Sequence, residues 1–225
     1  ASILDIGGES TRPGAADVSE DEEINRVVPV IRELAADGHV ISIDTRHASV
    51  MEAALDAGAA IINDVTGLEG DERSMEVAAA SGKPVMLMHM QGEPGTMQAD
   101  PQYDCAVLDV YDYLLDRIES CERAGIARER ICVDPGIGFG KTLSHNLELL
   151  SRLAIFHGLG CPILLGTSRK SFIGKIDPDA DPKQRLGGSI ASAVNGWRHG
   201  GQMIRVHDVQ ETVQALSVSS STSMV

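Results

Sequence analysis

Asp44, Asn63 and Asp134 each come directly after a short run of the sequence dominated by aliphatic residues. A carboxylate can accept two parallel hydrogen bonds from a flat ligand whose edge carries a row of N–H donors, such as a cyclic guanidine. Any one of these residues could instead cap the helix that follows it. Three of them at the ends of different strands favour a shared pocket for that kind of ligand.

Positively charged residues gather after the last two aliphatic runs. Arg169 and Lys170 follow the run 163–165, and Arg205 and His207 flank the end of the next. The loops after the seventh and eighth strands are the common anion site of α/β barrels. We therefore assign Lys170, Arg205 and His207 to an anion site, whereas Arg169 could instead form a salt bridge with a helix carboxylate.

The composition limits the partners of the chain. A net charge of −14 over 225 residues argues against nucleic acid, which selects for basic surfaces. No apolar run approaches the 18 residues of a membrane-spanning helix, so we expect no membrane partner. The four cysteines are scattered, as is usual for reduced cytoplasmic thiols. We expect a cytoplasmic protein that acts on small molecules.

The polar residues are positioned by alternating strand-like and helix-like segments. The strand-like runs are continuously apolar, as expected of parallel strands buried on both faces. About seven such alternations favour a TIM-type (β/α)8 barrel of the α/β class, in which residues 1–216 supply strands 2 to 8. The sequence starts within a strand, so we expect one βα unit to precede it. Residues 217–225 are serine-rich and are expected to form a frayed tail.

The glycine-rich segment 134–142 is not a phosphate-binding P-loop. Pro135 stands where that motif needs its first glycine. A tight strand-to-helix turn explains the glycines but leaves unexplained Phe139, an apolar ring in a loop that could stack on a ligand. For His89, packing and catalytic roles both remain open.

Several motifs occur in order along the chain: Gly-Gly-Glu-Ser-Thr-Arg-Pro-Gly at 7–14, Ile-Asn-Asp-Val at 62–65, Leu-Met-His-Met-Gln-Gly at 87–92, Asp-Pro-Gly-Ile-Gly-Phe-Gly-Lys at 134–141, Ser-Arg-Lys-Ser at 168–171 and Arg-Val-His-Asp at 205–208. Together they resemble the dihydropteroate synthases, the folate-pathway members of the pterin-binding barrel superfamily. The resemblance implies an enzyme that condenses 7,8-dihydropterin-6-methyl diphosphate with 4-aminobenzoate, giving 7,8-dihydropteroate and diphosphate. It also implies Mg²⁺ as cofactor, inhibition by sulfonamides and a homodimer.

The resemblance assigns roles to residues that match the family motifs. The implied pterin site contains Asp44, Asn63, Met88, Asp134, Phe139, Gly166 and Lys170. The implied diphosphate site contains Asn63, Arg205 and His207. The implied aminobenzoate site contains Thr11, Arg12, Pro13 and Ser171. The implied catalytic residues are Arg12, Lys170, Arg205 and His207.

Two further expectations concern the N-terminal part of the site. The resemblance places an asparagine that helps to bind Mg²⁺ in the expected preceding unit, and it implies no metal ligand within residues 1–225. The loop that carries Thr11 and Arg12 is expected to become ordered only when diphosphate and aminobenzoate are bound.

Two alternative functions remain open at this point. A corrinoid-dependent methyltransferase of the same superfamily would share the Asp44, Asn63 and Asp134 set. The Ser-Thr-Arg-Pro and Ser-Arg-Lys-Ser motifs argue against it, because that enzyme binds no aminobenzoate. The second alternative is a catalytically inactive fragment that only binds pterin.

Overall fold

A computed structural model describes residues 1–10, 17–92 and 95–223 of the chain. Its seven strands, counted within those ranges, are β1 (Leu4–Ile6), β2 (Ile41–Asp44), β3 (Ile61–Asp64), β4 (Val85–Met88), β5 (Ile131–Asp134), β6 (Leu164–Gly166) and β7 (Met203–Arg205). The helices are α1 (Glu20–Ala36), α2 (Ala48–Ala57), α3 (Ser74–Ser81), α4 (Ala106–Arg123), α5 (Leu143–Ser151), α6 (Ser171–Ile176), α7 (Leu186–Arg198) and α8 (Val209–Ser223).

The strands follow one another in chain order and all pair in parallel. The first five form one sheet in the order β1-β2-β3-β4-β5, and β6 pairs with β7. A single bridge between Val133 and Ile163 connects the two sheets. The arrangement is a TIM-type α/β barrel, which confirms the predicted fold class. In the described part of the chain no strand hydrogen-bonds between β7 and β1.

Alternation along the strands separates the core from the mouth of the barrel. A small buried cluster, separate from the main core, contains Ile61, Met86, Cys132 and Leu164, with Ile3 and Met203 packed against it. Side chains two positions apart point to the same face of a strand. The residues two positions further along are Asp5, Asn63, Met88, Asp134, Gly166 and Arg205. The barrel interior is therefore apolar in the layer of Ile61, Met86, Cys132 and Leu164, and it becomes more polar towards the carboxyl ends of the strands.

The other face of each strand packs against the helices. Ile41, Ile43 and Ile62 are fully buried in the main core, together with Val27 and Ile31 of α1. The side chain of Ser19 accepts a hydrogen bond from the Glu22 backbone N–H and so caps the start of α1. Local capping and core burial thus agree on where this helix lies.

The sequence predicts a frayed tail from residue 217, and the structure shows that this is wrong for residues 217–223. The last helix, α8, continues through residues 217–223. Hydroxyl groups in this segment donate back to earlier carbonyls, as in the 2.8 Å bond from Ser217 to Val213 and the 2.9 Å bond from Ser221 to Ser217. These bonds satisfy the serine side chains within a helix.

None of the helices found in the described residues is long and apolar enough to cross a membrane.

Candidate active site

Strand register brings the polar side chains together at the mouth of the barrel. Asp44 lies beside Asn63 across β2 and β3, Met88 lies beside Asp134 across β4 and β5, and Gly166 lies beside Arg205 across β6 and β7. Because the carboxyl ends of parallel strands meet at one end of a barrel, these pairs surround a single opening.

One side of the mouth is built around Arg205 of β7. Its Nε lies 2.6 Å from Asp5 Oδ2 and its Nη2 lies 2.9 Å from Asp44 Oδ2. The Asn63 amide donates to both Asp5 oxygens, at 3.3 and 3.2 Å, and the Ser42 hydroxyl also donates to Asp5. We call Asp5, Asp44, Asn63 and Arg205 the Arg205 cluster.

Asp5 is a site residue that the sequence reasoning missed. It accepts hydrogen bonds from side chains on β2, β3 and β7, so it lies at the centre of the Arg205 cluster. The pattern that identified Asp44 and Asp134 does not apply to Asp5, because Asp5 lies inside β1, between Leu4 and Ile6, and does not end the strand.

The Arg205 cluster holds more negative than positive charge. Burial, and then the nearby carboxylate of Asp5, raise the pKa of Asp44 to about 7, while Arg205 opposes this shift. Two carboxylates share one guanidinium, which cannot be deprotonated at physiological pH. The Asp44 carboxyl is therefore the group in this cluster that can take up a proton near neutrality.

The opposite side of the mouth is built around Lys170, at the start of α6. Its Nζ donates to the Ile137 carbonyl and lies 4.8 Å from the centroid of the Phe139 ring. Burial lowers the pKa of Lys170 to about 8, while Asp134 opposes the shift. We call Asp134, Phe139 and Lys170 the Lys170 cluster.

Asp134 lies inside the mouth with its own set of donors. Its Oδ1 accepts the Gly136 N–H at 2.7 Å, and 6% of the residue is exposed. Burial raises the pKa of Asp134, and Lys170 together with the Gly136 N–H opposes this effect. Among the residues that the structure describes, no hydrogen-bond donor contacts the second carboxylate oxygen, so it can accept from a ligand.

His207 and Arg169 have different surroundings although both follow the last strands. His207 Nδ1 lies 3.0 Å from Ser168 Oγ, which also accepts the His207 backbone N–H at 3.2 Å. Arg169 forms a two-bond salt bridge with Asp208, with Nη2 2.5 Å from Oδ1 and Nε 3.1 Å from Oδ2. The salt-bridge alternative for Arg169 is therefore the one the structure contains.

A cavity of about 830 Å³ opens between the mouth and the gap that separates β1 from β7. Five predicted site residues line it: Asn63, Gly166, Lys170, Arg205 and His207. Asp5 and Ser168, which were not predicted, line it as well. Ser171 is exposed at the start of α6, outside this lining. Thr11, Arg12 and Pro13, with the predicted ordering of their loop, lie outside the described residues.

The Arg205 cluster contains carboxylate and amide oxygens, the hard ligands that Mg²⁺ prefers. In the structure Arg205 is hydrogen-bonded to both Asp5 and Asp44, and the Asn63 amide donates to Asp5, so these groups already have internal partners. A different group, Glu9, Glu23 and His47, has potential ligand atoms within 4.8 Å of one another. There, Arg46 Nε already lies 2.9 Å from Glu9, and His47 Nδ1 lies 2.9 Å from Glu23. Internal ion pairs therefore account for most of that second group.

Comparisons with known proteins agree on one family. A family model described as pterin binding enzyme matches residues 1–207. Dihydropteroate synthase from Escherichia coli (strain K12) is 50% identical over 223 residues, which cover 99% of this chain and 78% of that protein. A Yersinia pestis dihydropteroate synthase solved with a sulfonamide drug superposes with a TM-score of 0.97 at 47% identity, covering 100% of this chain and 82% of that one. A Xanthomonas albilineans dihydropteroate synthase solved with 4-aminobenzoic acid has a TM-score of 0.94 at 44% identity, with coverages of 100% and 80%.

Proposed function

The chain belongs to the dihydropteroate synthases of the pterin-binding enzyme family, and we propose that the mouth between the Arg205 and Lys170 clusters is where it carries out their reaction. That reaction joins 7,8-dihydropterin-6-methyl diphosphate to 4-aminobenzoate and releases diphosphate. The observation that carries the assignment of the site is the placement of three carboxylates, on Asp5, Asp44 and Asp134, and two cations, Lys170 and Arg205, around one opening. Acidic groups suit the donor-rich edge of a pterin, and cations suit a diphosphate.

The pterin ring is assigned to the Lys170 side. The Asp134 carboxylate, held by the Gly136 N–H, accepts hydrogen bonds from the guanidine-like edge of the ring. Lys170 donates to the acceptor atoms of the ring, and Asn63 and Asp44 complete its polar contacts. Phe139, Met88 and Gly166 form the walls of the slot.

The diphosphate is assigned to Arg205, His207 and Asn63. Arg205 is paired with Asp5 and Asp44 in the structure, at 2.6 and 2.9 Å, so it must share or exchange these partners when the anion binds. Protonation of Asp44 would free part of the guanidinium. Binding of the anion is therefore coupled to the charge of Asp44.

The reaction follows from charge stabilisation. The bond from the exocyclic methylene carbon to the diphosphate oxygen breaks, and its electron pair leaves with the diphosphate towards Arg205 and His207. The electron-rich pterin ring carries the resulting cation. The neutral amine of 4-aminobenzoate then attacks the methylene carbon, and the ammonium formed loses a proton to solvent. No protein base is assigned to this step.

Mg²⁺ is carried over from the family resemblance, which implies no metal ligand within residues 1–225. When bound, the ion would neutralise negative charge that develops on the leaving group. The requirement is tested by activity with and without a chelator, followed by addition of Mg²⁺.

The aminobenzoate site is assigned to Thr11, Arg12, Pro13 and Ser171. The relatives solved with a sulfonamide drug and with 4-aminobenzoic acid support this class of ligand. Competition between a sulfonamide and 4-aminobenzoate in steady-state kinetics tests it, because ligands of one site raise each other's apparent KM without lowering kcat.

The remaining assignments concern the whole protein. We propose that residues 1–216 act as one pterin-binding barrel domain, since the family match and β1 to β7 lie within this range. A homodimer and a cytoplasmic location are carried over from the family resemblance, and four free cysteines agree with a reducing compartment. Sedimentation of the purified protein and fractionation of cells test these two points.

One assay tests the function directly. The protein is incubated with the dihydropterin diphosphate, 4-aminobenzoate and Mg²⁺, and dihydropteroate is measured by chromatography. We expect product that depends on all three additions. Pterin binding without product would favour the inactive pterin-binding alternative.

A further inference from the structure

Lys141 is a buried cation that the proposed reaction does not use. It follows the glycine-rich turn after β5, and only 1% of it is exposed. Among the described residues, no carboxylate forms a salt bridge with it. A buried ammonium or amine is costly unless its N–H groups are bonded, so the partners of this side chain need an explanation.

The Lys141 amine connects the loops that follow β4 and β5. Its Nζ lies 2.9 Å from His89 Nδ1, 3.4 Å from the His89 carbonyl oxygen and 2.9 Å from the Phe139 carbonyl oxygen. The first two acceptors belong to the β4 loop and the third to the β5 loop. All three N–H groups of an ammonium can thus be satisfied, and each bond holds one loop against the other.

The two loops touch so closely that small shifts would matter. A Cβ at Gly136, where φ is +68°, would lie 1.9 Å from the His89 carbonyl oxygen. A Cβ at Gly140, where φ is +61°, would lie 2.3 Å from the Gln91 carbonyl oxygen. Only glycine permits so close an approach of the two loops. A Cβ at Gly136 would also lie 3.3 Å from Lys141 Nζ, so the amine is next to this contact.

The segment that Lys141 holds carries the upper wall of the pterin slot. Phe139 projects from this turn, and Lys170 Nζ lies 4.8 Å from its ring centroid. Lys170 also donates to the Ile137 carbonyl of the same turn. The turn is therefore held by Lys141 from the core and by Lys170 from the mouth.

We propose that Lys141 is a positioning residue for pterin binding, which fixes the height of the Phe139 ring and of the Lys170 amine above the slot. This inference rests on the proposed function, because it assigns Lys141 to the pterin half of the site. Lys141 acts through His89 and Phe139 and contacts no substrate. His89, for which the sequence left two roles open, is its acceptor.

The neutral state of His89 agrees with its role as an acceptor. Burial, and then the charge of Lys141, lower the pKa of His89 to about 3, so its imidazole is neutral and can accept through Nδ1. Burial lowers the pKa of Lys141 well below its usual value, with Lys170 acting in the same direction and Asp134 opposing.

The test compares Lys141→Met with Lys83→Met, a control at an exposed lysine. Met keeps most of the aliphatic stem and removes all three N–H donors. We expect the KM for dihydropterin diphosphate to rise by about tenfold or more in Lys141→Met, with the KM for 4-aminobenzoate within about twofold of the parent. The control should match the parent in both constants.

Other outcomes overturn the inference. A purely structural role would lower the melting temperature and kcat while leaving both KM values unchanged. If Lys141→Met does not fold, His89→Leu decides, since it removes one of the three acceptors and should raise the same KM by a smaller factor. An unchanged pterin KM in His89→Leu would then refute the role. A parent protein that makes no dihydropteroate would refute the proposed function itself, whereas an active parent with an unaffected variant would refute only the positioning role.

Discussion

The two halves of the mouth use similar residues but differ in their balance of charge. In the Arg205 cluster, Asp5 and Asp44 share one guanidinium, at 2.6 and 2.9 Å. In the Lys170 cluster, Asp134 faces Lys170 and the N–H of Gly136, at 2.7 Å. One half therefore carries an excess carboxylate, and the other is balanced by a cation and a fixed backbone donor.

This difference suits the two parts of the substrate. A flat ring is recognised best by donors and acceptors that are already fixed, because little is lost in ordering them. A diphosphate arrives and leaves with several negative charges, so its site benefits from a group whose charge can change. The pKa of Asp44, raised to about 7, places such a group beside Arg205.

The largest expected effect on ligand affinity comes from a substitution in the Lys170 cluster. Asp134→Ala should leave the fold intact but remove the carboxylate assigned to the guanidine-like edge of the pterin, which costs on the order of 2–4 kcal/mol of binding free energy. Calorimetric titration with a pterin measures this loss, and Asp177→Ala in an exposed loop is the control. A dissociation constant within about threefold of the parent would remove Asp134 from the pterin site.

Arg205→Met should separate the two halves. The variant loses the cation of the diphosphate side, so affinity for inorganic diphosphate should fall by about 1.5–3 kcal/mol, the usual worth of hydrogen bonds to a charged group. Pterin affinity should change much less. Exposed Arg198→Met is the matched control. Equal losses for both ligands would mean that the two clusters do not act separately.

The sequence predicted which polar residues lie together at the mouth of the barrel. Polar residues at the ends of parallel strands must meet, and this rule selected six residues: Asp44, Asn63, Asp134, Lys170, Arg205 and His207. The structure brings five strands of one sheet and the β6–β7 pair to a common mouth, as that rule requires.

The sequence could not identify residues whose role depends on a distant partner. Asp5 matters because Arg205, 200 positions later, donates to it. Lys141 looked like part of a turn, and only its three acceptors in two loops give it a role. The helical state of residues 217–223 was also missed, since serine composition alone favours irregular structure.

The excess carboxylate of the Arg205 cluster should make the free energy of unfolding depend on pH. Asp44 has a folded-state pKa of about 7 against a reference of 3.8, so the folded state holds its proton more tightly than the unfolded state. Its contribution to the free energy of unfolding is fully present below pH 3.8 and is lost as the pH rises to about 7. Relative to Asp44→Asn, the parent should therefore lose up to about 4 kcal/mol across this window. Urea unfolding of both proteins at several pH values measures the difference, and a constant difference would contradict the assignment.

The smallest expected effect tests whether the diphosphate side depends on orientation as well as charge. Ser168→Ala removes the hydroxyl that lies 3.0 Å from His207 Nδ1 and accepts the His207 backbone N–H at 3.2 Å. The imidazole keeps its place on the chain but loses one of its hydrogen-bond partners, so diphosphate affinity should fall by about 0.5–1.5 kcal/mol, less than in Arg205→Met. Ser151→Ala, at an exposed serine, is the control. A loss in Ser168→Ala as large as that in Arg205→Met would mean that orientation of His207 matters as much as the charge of Arg205, and the contrast between a charge-controlled half and a geometrically fixed half would then fail.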